Sequence, residues 1–139
     1  MRQGTEQFPA TELAARDGIT TVLSRLENEG LASEHLGSVE IVLSEVVNNV
    51  VEHAYAGVSD GEVHVSFALS QNALNLTICD KGAAFPNNRL PVGKLPDLDV
   101  ALDDLPEGGF GWNLIRRLTS ELTYKRHEGC NQLDLSFEF

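Results

Sequence analysis

Cysteine is nearly missing from this sequence. Cys79 and Cys130 are the only two among 139 residues, too few for a disulfide-built scaffold. Each lies in or beside an alternating apolar run, where a reduced thiol is the ordinary state. Long hydrophobic runs are missing too. No stretch approaches the ~18 apolar residues that suggest a membrane span. The opening residues, Met1-Arg2-Gln3-Gly4-Thr5-Glu6, hold no apolar signal core. Both absences lead to the expectation of a cytoplasmic protein without a membrane partner. Cations are scarce: ten Lys and Arg stand against 21 Asp and Glu, a net charge of −11. With no basic face to release counterions, the chain is a poor fit to nucleic acid. The same sign disfavours anionic lipid.

What is present suits one self-sufficient domain over residues 1–139. The length is enough for a core, and 42% hydrophobic with 22% charged residues is ordinary for a soluble globular protein. Thr11 to Glu29 predicts a first helix, with Thr11 as N-cap and Gly30 at the stop. Gly18 counts against it by about 1 kcal/mol relative to alanine. Ser33 to Tyr55 predicts a stronger helix. At 100° steps Val39, Leu43, Val46, Val47, Val50 and Ala54 fall on one side, and Ser38, Glu45, Asn49 and Glu52 on the other.

Two alternating runs follow, Val63-Val65-Phe67-Leu69 and Leu74-Leu76-Ile78, joined by Ser70-Gln71-Asn72. A short helix over Trp112 to Thr119 leads into a second hairpin, Leu122 to Lys125 and Leu133 to Phe139, turning near Glu128-Gly129. Between the hairpins lies a Pro- and Gly-rich stretch, Asp80 to Gly111, with at most a short helix near Asp97 to Asp104. A loop so long is unusual inside a compact domain and is functional or mobile; residues of about 85–108 are expected to form a lid. The order helix, helix, two strands, loop, helix, two strands predicts an α+β fold. It is a two-layer sandwich, a mostly antiparallel sheet with helices on one face.

Three motifs carry chemistry. In Glu45-x-x-x-Asn49 the spacing puts both side chains on one helix face, roughly 5–6 Å apart at Cβ. An amide oxygen beside a carboxylate suits magnesium, and a carboxylate free of the metal can take a proton from a hydroxyl. The same pair also reads as a solvated polar face. Asp80-Lys81-Gly82 ends an apolar strand. There the carboxylate can accept from an exocyclic amine such as adenine's, and Gly82 lets a flat ring approach the backbone. A plain strand-ending turn fits those residues as well. Gly108-Gly109-Phe110-Gly111 runs into a helix, where exposed N–H groups favour an anion. It is neither a Rossmann nor a Walker loop, and a hinge is the other reading.

Taken in order, the three motifs resemble the GHKL ATPase superfamily, and within it the anti-sigma-factor serine/threonine kinases of bacteria. Glu45 to Asn49 with His53-Ala54-Tyr55 is similar to the N box. Asp80-x-Gly82-x-x-Phe85 is similar to the first glycine box, and Gly109-Phe110-Gly111 with Leu114-Ile115-Arg116-Arg117-Leu118 to the second. The resemblance covers nearly the whole chain and implies a Bergerat-type fold binding ATP with Mg2+. It implies Asn49 as magnesium ligand and Asp80 as the adenine acceptor, with Gly82 and Phe85 beside the nucleotide. Gly109, Phe110 and Gly111 would lie at the phosphates, and Glu45 would be the base for a substrate hydroxyl. It further implies a homodimer that phosphorylates an anti-sigma-factor antagonist and sequesters a sigma factor.

Two positions depart from the pattern. Ala83-Ala84 stands where many relatives carry proline or glycine, and Glu107 where some place an arginine. A non-catalytic ATP-binding regulatory module is therefore the alternative. A plain ATPase or a detached histidine-kinase catalytic domain is a third reading, disfavoured because no dimerisation helix pair accompanies it. His35, His64 and His127 are not spaced as zinc ligands, while Trp112 reads as core under the loop.

Overall fold

The computed structural model describes residues 2–54, 61–85, 90 and 110–139, with backbone alone for His53, Ala54 and Phe110. Five strands, β1 (Arg2–Pro9), β2 (Glu62–Leu69), β3 (Ala73–Asp80), β4 (Glu121–His127) and β5 (Cys130–Glu138), form one antiparallel sheet in the order β1-β2-β3-β5-β4. The period of two decides what each face carries. Val63, Val65, Phe67, Leu69, Leu74, Leu76, Ile78, Leu133, Leu135 and Phe137 are buried on one face. Between them Ser66, Thr77 and Ser136 are only partly covered. Register locks this pattern, with Val65 opposite Ile78 and Ile78 opposite Leu133; a slip of one residue would turn every apolar side chain outward.

Helices α1 (Glu12–Asn28), α2 (Ser33–Asn49) and α3 (Phe110–Leu118) share the core that this face forms. Thr11 caps α1 as expected, its Oγ1 accepting from the Ala14 N–H at 3.2 Å. Gly30, at φ +110°, stops that helix in a conformation that suits glycine. No side chain caps α2. A cap contributes about 1 kcal/mol, whereas each fully buried Val or Leu contributes about 1.5–3 kcal/mol. Val39, Val42, Leu43, Val46 and Val47 therefore outweigh the missing cap. The expected α+β class, an antiparallel sheet with helices on one face, is the fold observed.

Two elements differ from expectation. The chain opens with a strand before the first helix, not with the helix itself. β1 is polar apart from Phe8 and lies at the sheet edge, so no apolar alternation announced it. Phe8 fixes β1 to α1 through Gly18. A Cβ there would stand 2.5 Å from Phe8 Cε1 and 2.7 Å from Cγ, so the glycine that weakens the helix makes room for the ring. Arg25 adds a second tie. Its Nη1 donates to Thr5 O at 2.8 Å and Glu6 Oε1 at 2.7 Å, and the guanidinium stands 5.3 Å over the Phe67 ring. The second helix also does not run evenly to Tyr55. It leaves α-geometry after Asn49 and continues as one wider π turn, Val50–Ala54. Such turns are frequent at functional sites. Tyr55 and the expected short helix of Asp97 to Asp104 lie outside the described residues, as does the expected lid apart from Phe85 and Leu90. No helix among the described residues is long and apolar enough to cross a membrane.

Candidate functional site

Asp80 is the last residue of β3, and the alternation that turns Leu74, Leu76 and Ile78 inward turns its carboxylate inward as well. It is 5% exposed. Oδ1 accepts from the Gly82 N–H at 2.8 Å and from Asn131 Nδ2 at 2.9 Å. Burial pushes the carboxyl above the ordinary carboxylate range; the bonds from Asn131 and Gly82 and the charge of Arg126 pull it partly back. Among the described residues Oδ2 accepts no hydrogen bond, and no fully buried side-chain polar atom lacks a partner. Oδ2 is therefore the oxygen of this acid that is not fully enclosed and that remains open to a further donor.

Glu45 and Asn49 lie one turn apart on the polar side of α2, both half-buried. Asn49 Nδ2 donates to the Glu45 carbonyl at 2.8 Å, which leaves Oδ1 as the atom facing away from the helix. No group of three or more His, Cys, Asp or Glu among the described residues could cage a metal. One amide oxygen next to one carboxylate instead fits a cation that keeps water and takes phosphate oxygens, the habit of magnesium.

The start of α3 brings the third motif to the first. A Cβ on Gly111 would run into the Glu45 carboxylate, with Cδ at 3.1 Å and Cγ at 3.7 Å. Only glycine lets the first turn of α3 lie this close to Glu45. The next residue, Trp112, is 4% exposed. Its ring meets Phe85 edge-on at 5.4 Å, and Phe85 meets Tyr124 in the same way at 4.9 Å. Asp80-Gly82-Phe85, Gly111-Trp112 and Glu45 thus form one contact path running from β3 through α3 to α2. Gly109, the side chain of Phe110, that of His53, and Glu107 lie outside the described residues.

Sequence reasoning missed Asn131, Tyr124 and Arg126. Asn131 is 3% exposed and sits opposite Asp80 in the β3–β5 register. Its Oδ1 accepts from the Tyr124 hydroxyl at 2.5 Å and from Arg126 Nη1 at 2.9 Å. Arg126 Nη1 also donates to Gly82 O at 2.8 Å, and the Phe85 N–H donates to the Tyr124 hydroxyl at 3.3 Å. The available signal was an asparagine on the stripe of Leu133, Leu135 and Phe137, since polar residues on buried stripes are the informative exceptions.

The profile of the Histidine kinase-like ATPase domain matches residues 8–137. The chain is similar to serine-protein kinase RsbW of Bacillus thuringiensis (strain Al Hakam), at 32% identity over 105 residues, 75% of this chain and 65% of that protein. It is also 32% identical to serine/threonine-protein kinase BtrW of Bordetella bronchiseptica over 100 residues, 71% of this chain and 68% of the relative. The chain thus spans 65% of the length of the Bacillus relative. Among solved structures, the RsbU and RsbW domains of a Mycobacterium tuberculosis protein superpose with a TM-score of 0.67 at 21% identity. That match covers 99% of this chain and 32% of the other. A blue-light activated histidine kinase of Erythrobacter litoralis superposes with a TM-score of 0.54 at 19% identity, covering 94% and 42%. At such identities the two structures share the architecture.

Proposed function

Because the chain belongs to the histidine kinase-like ATPase domain family and is 32% identical to the RsbW and BtrW kinases, we propose that it is an ATP-dependent serine/threonine protein kinase. Its substrate is an anti-sigma-factor antagonist, and as a homodimer it also sequesters a sigma factor. The observation that carries the reading is the contact path from Asp80 through Phe85 and Trp112 to Glu45. An acid suited to a base edge and an acid suited to a hydroxyl are both present, joined by the glycine start of α3.

ATP supplies the phosphoryl group when bound, and magnesium neutralises its charge. The residues of the chain bind, orient and move a proton. Asp80 Oδ2 accepts from the exocyclic amine of adenine, with Gly82 packed at the ring and Phe85 closing the aromatic wall. Asn49 Oδ1 would hold the cation. Phe110 and Gly111 open α3, where the partial positive charge favours an anion; with Gly109 of the same motif they would offer backbone N–H groups to phosphate. Glu45 takes the proton of the serine or threonine hydroxyl and orients its oxygen for in-line attack.

Two outcomes test this assignment. Calorimetry should find ATP binding strengthened by magnesium, and Asn49→Ala should lose most of that gain by deleting the amide oxygen. A variant that keeps the full magnesium effect makes Asn49 a surface amide. Gly111→Ala should displace Glu45, whose flexible end can yield, so the fold survives. A misplacement of about 1 Å can cost 10²-fold in rate, and a loss on the order of 10²-fold is expected with the melting temperature little changed. Unaltered turnover would separate Gly111 from the reaction.

A further inference from the structure

Asp80 and Asn131 are the buried polar side chains among the described residues, and they face each other across β3 and β5. The orientation of the Asn131 amide is set by its neighbours. Arg126 can only donate, so the amide oxygen faces it, with the Tyr124 hydroxyl donating to the same atom. The amide nitrogen is thereby turned the other way. Nδ2 donates to Asp80 Oδ1 at 2.9 Å and to Ala83 O at 2.8 Å, with Gly82 O at 3.4 Å.

This arrangement takes away the freedom of Asp80. Oδ1 already holds two donors, the Gly82 N–H and Asn131 Nδ2, so the carboxylate cannot turn without breaking both. A carboxylate free to turn can read either kind of purine. It accepts from the 6-amino group of adenine, or from the ring N1–H of a 6-keto purine. A fixed one reads a single position. Building on the ATP-binding reading above, we infer that Asn131, held by Tyr124 and Arg126, is a positioning residue for base selection. It fixes the one Asp80 oxygen that meets the purine edge, and so sets the preference for a 6-amino over a 6-keto purine. Asn131 acts through Asp80 and does not touch the nucleotide.

The test is calorimetric binding of ATP and inosine triphosphate, which differ at the 6-position and in the ring N1–H that the keto group brings. The proteins compared are the unmutated chain, Asn131→Ala, Tyr124→Phe and Arg126→Ala. Tyr124→Phe keeps the ring against Phe85, and Arg126 is exposed, so both variants fold even if Asn131→Ala does not. The unmutated protein should prefer ATP. In Asn131→Ala the ATP-to-inosine-triphosphate ratio should fall about tenfold or more, the weight of one hydrogen bond to a charged group. Tyr124→Phe and Arg126→Ala should shift the ratio in the same direction by less. Equal loss of both affinities, or an unmoved ratio, overturns the inference and leaves the ATP reading standing. If Asn131→Ala does not fold, the other two variants decide by the same criterion. An unmutated protein without preference overturns the ATP reading and this inference together.

Discussion

Glu45→Gln should lower phosphoryl transfer by about 10²–10⁴-fold, the usual contribution of a positioned general base. Glutamine fills the same space beside Gly111 and takes away the proton acceptor. ATP affinity should change little, because Glu45 is assigned to the hydroxyl and Asp80 to the base. The fold should persist, since Glu45 is half-buried on the polar side of α2 and the buried stripe of Val39, Val42, Leu43, Val46 and Val47 is untouched. The measurement is the rate of phosphate incorporation into a serine- or threonine-bearing antagonist, alongside calorimetry with ATP. A variant that transfers as fast as the unmutated protein would place the base elsewhere.

Asp80→Asn should act in two directions at once. Binding of ATP should weaken by about 1–3 kcal/mol, roughly 5–150-fold. The asparagine oxygen can keep the bonds from Gly82 and Asn131, which puts its nitrogen where Oδ2 was, donor against the adenine amine. The ligand-free protein should melt at a higher temperature. Burial raises the folded-state pKa of Asp80 above its unfolded value. The stability tied to this group is then present below the unfolded pKa and lost as pH rises through the folded one. At neutral pH the ionised acid is a cost to the fold, and the neutral amide removes it. The stability gap between the two proteins should narrow as the solution is acidified and Asp80 takes up its proton. An acid kept for structure alone would lose stability on substitution, so lower stability with unchanged ATP affinity refutes the role.

How much of this could be read beforehand follows from where each signal lies. The apolar stripe of α2 and the alternation of β2, β3 and β5 are local periodicities, and each reappears in the fold, although α2 gives way to the π turn after Asn49 and β5 begins at Cys130, ahead of its expected start. Thr11 acts on the adjoining turn through its hydroxyl and Gly30 through its own backbone, so both were equally legible. β1 was not, because an edge strand needs only one apolar anchor, Phe8, and has no stripe to show. Gly18 looked like a helix defect until Phe8 was found against it, since the packing partner lies ten residues away on another element. The site divides in the same way. Glu45, Asn49, Asp80 and Gly82 stand in short motifs whose spacing carries chemistry. Asn131, Tyr124 and Arg126 gain their meaning only from the β3–β5 register and the β4–β5 hairpin, which bring them to Asp80. The contact of Gly111 with Glu45 spans two helices, so spacing alone could not reveal it.

The measurement that bears most directly on the kinase reading is transfer of label from γ-phosphate-labelled ATP, with magnesium, to candidate anti-sigma-factor antagonists from the same genome. The account predicts label on a serine or threonine of one antagonist, with transfer reduced by about 10²–10⁴-fold in Glu45→Gln. If the unmutated protein binds ATP and its partners yet labels no antagonist, the kinase reading is contradicted and a non-catalytic ATP-binding regulatory module takes its place.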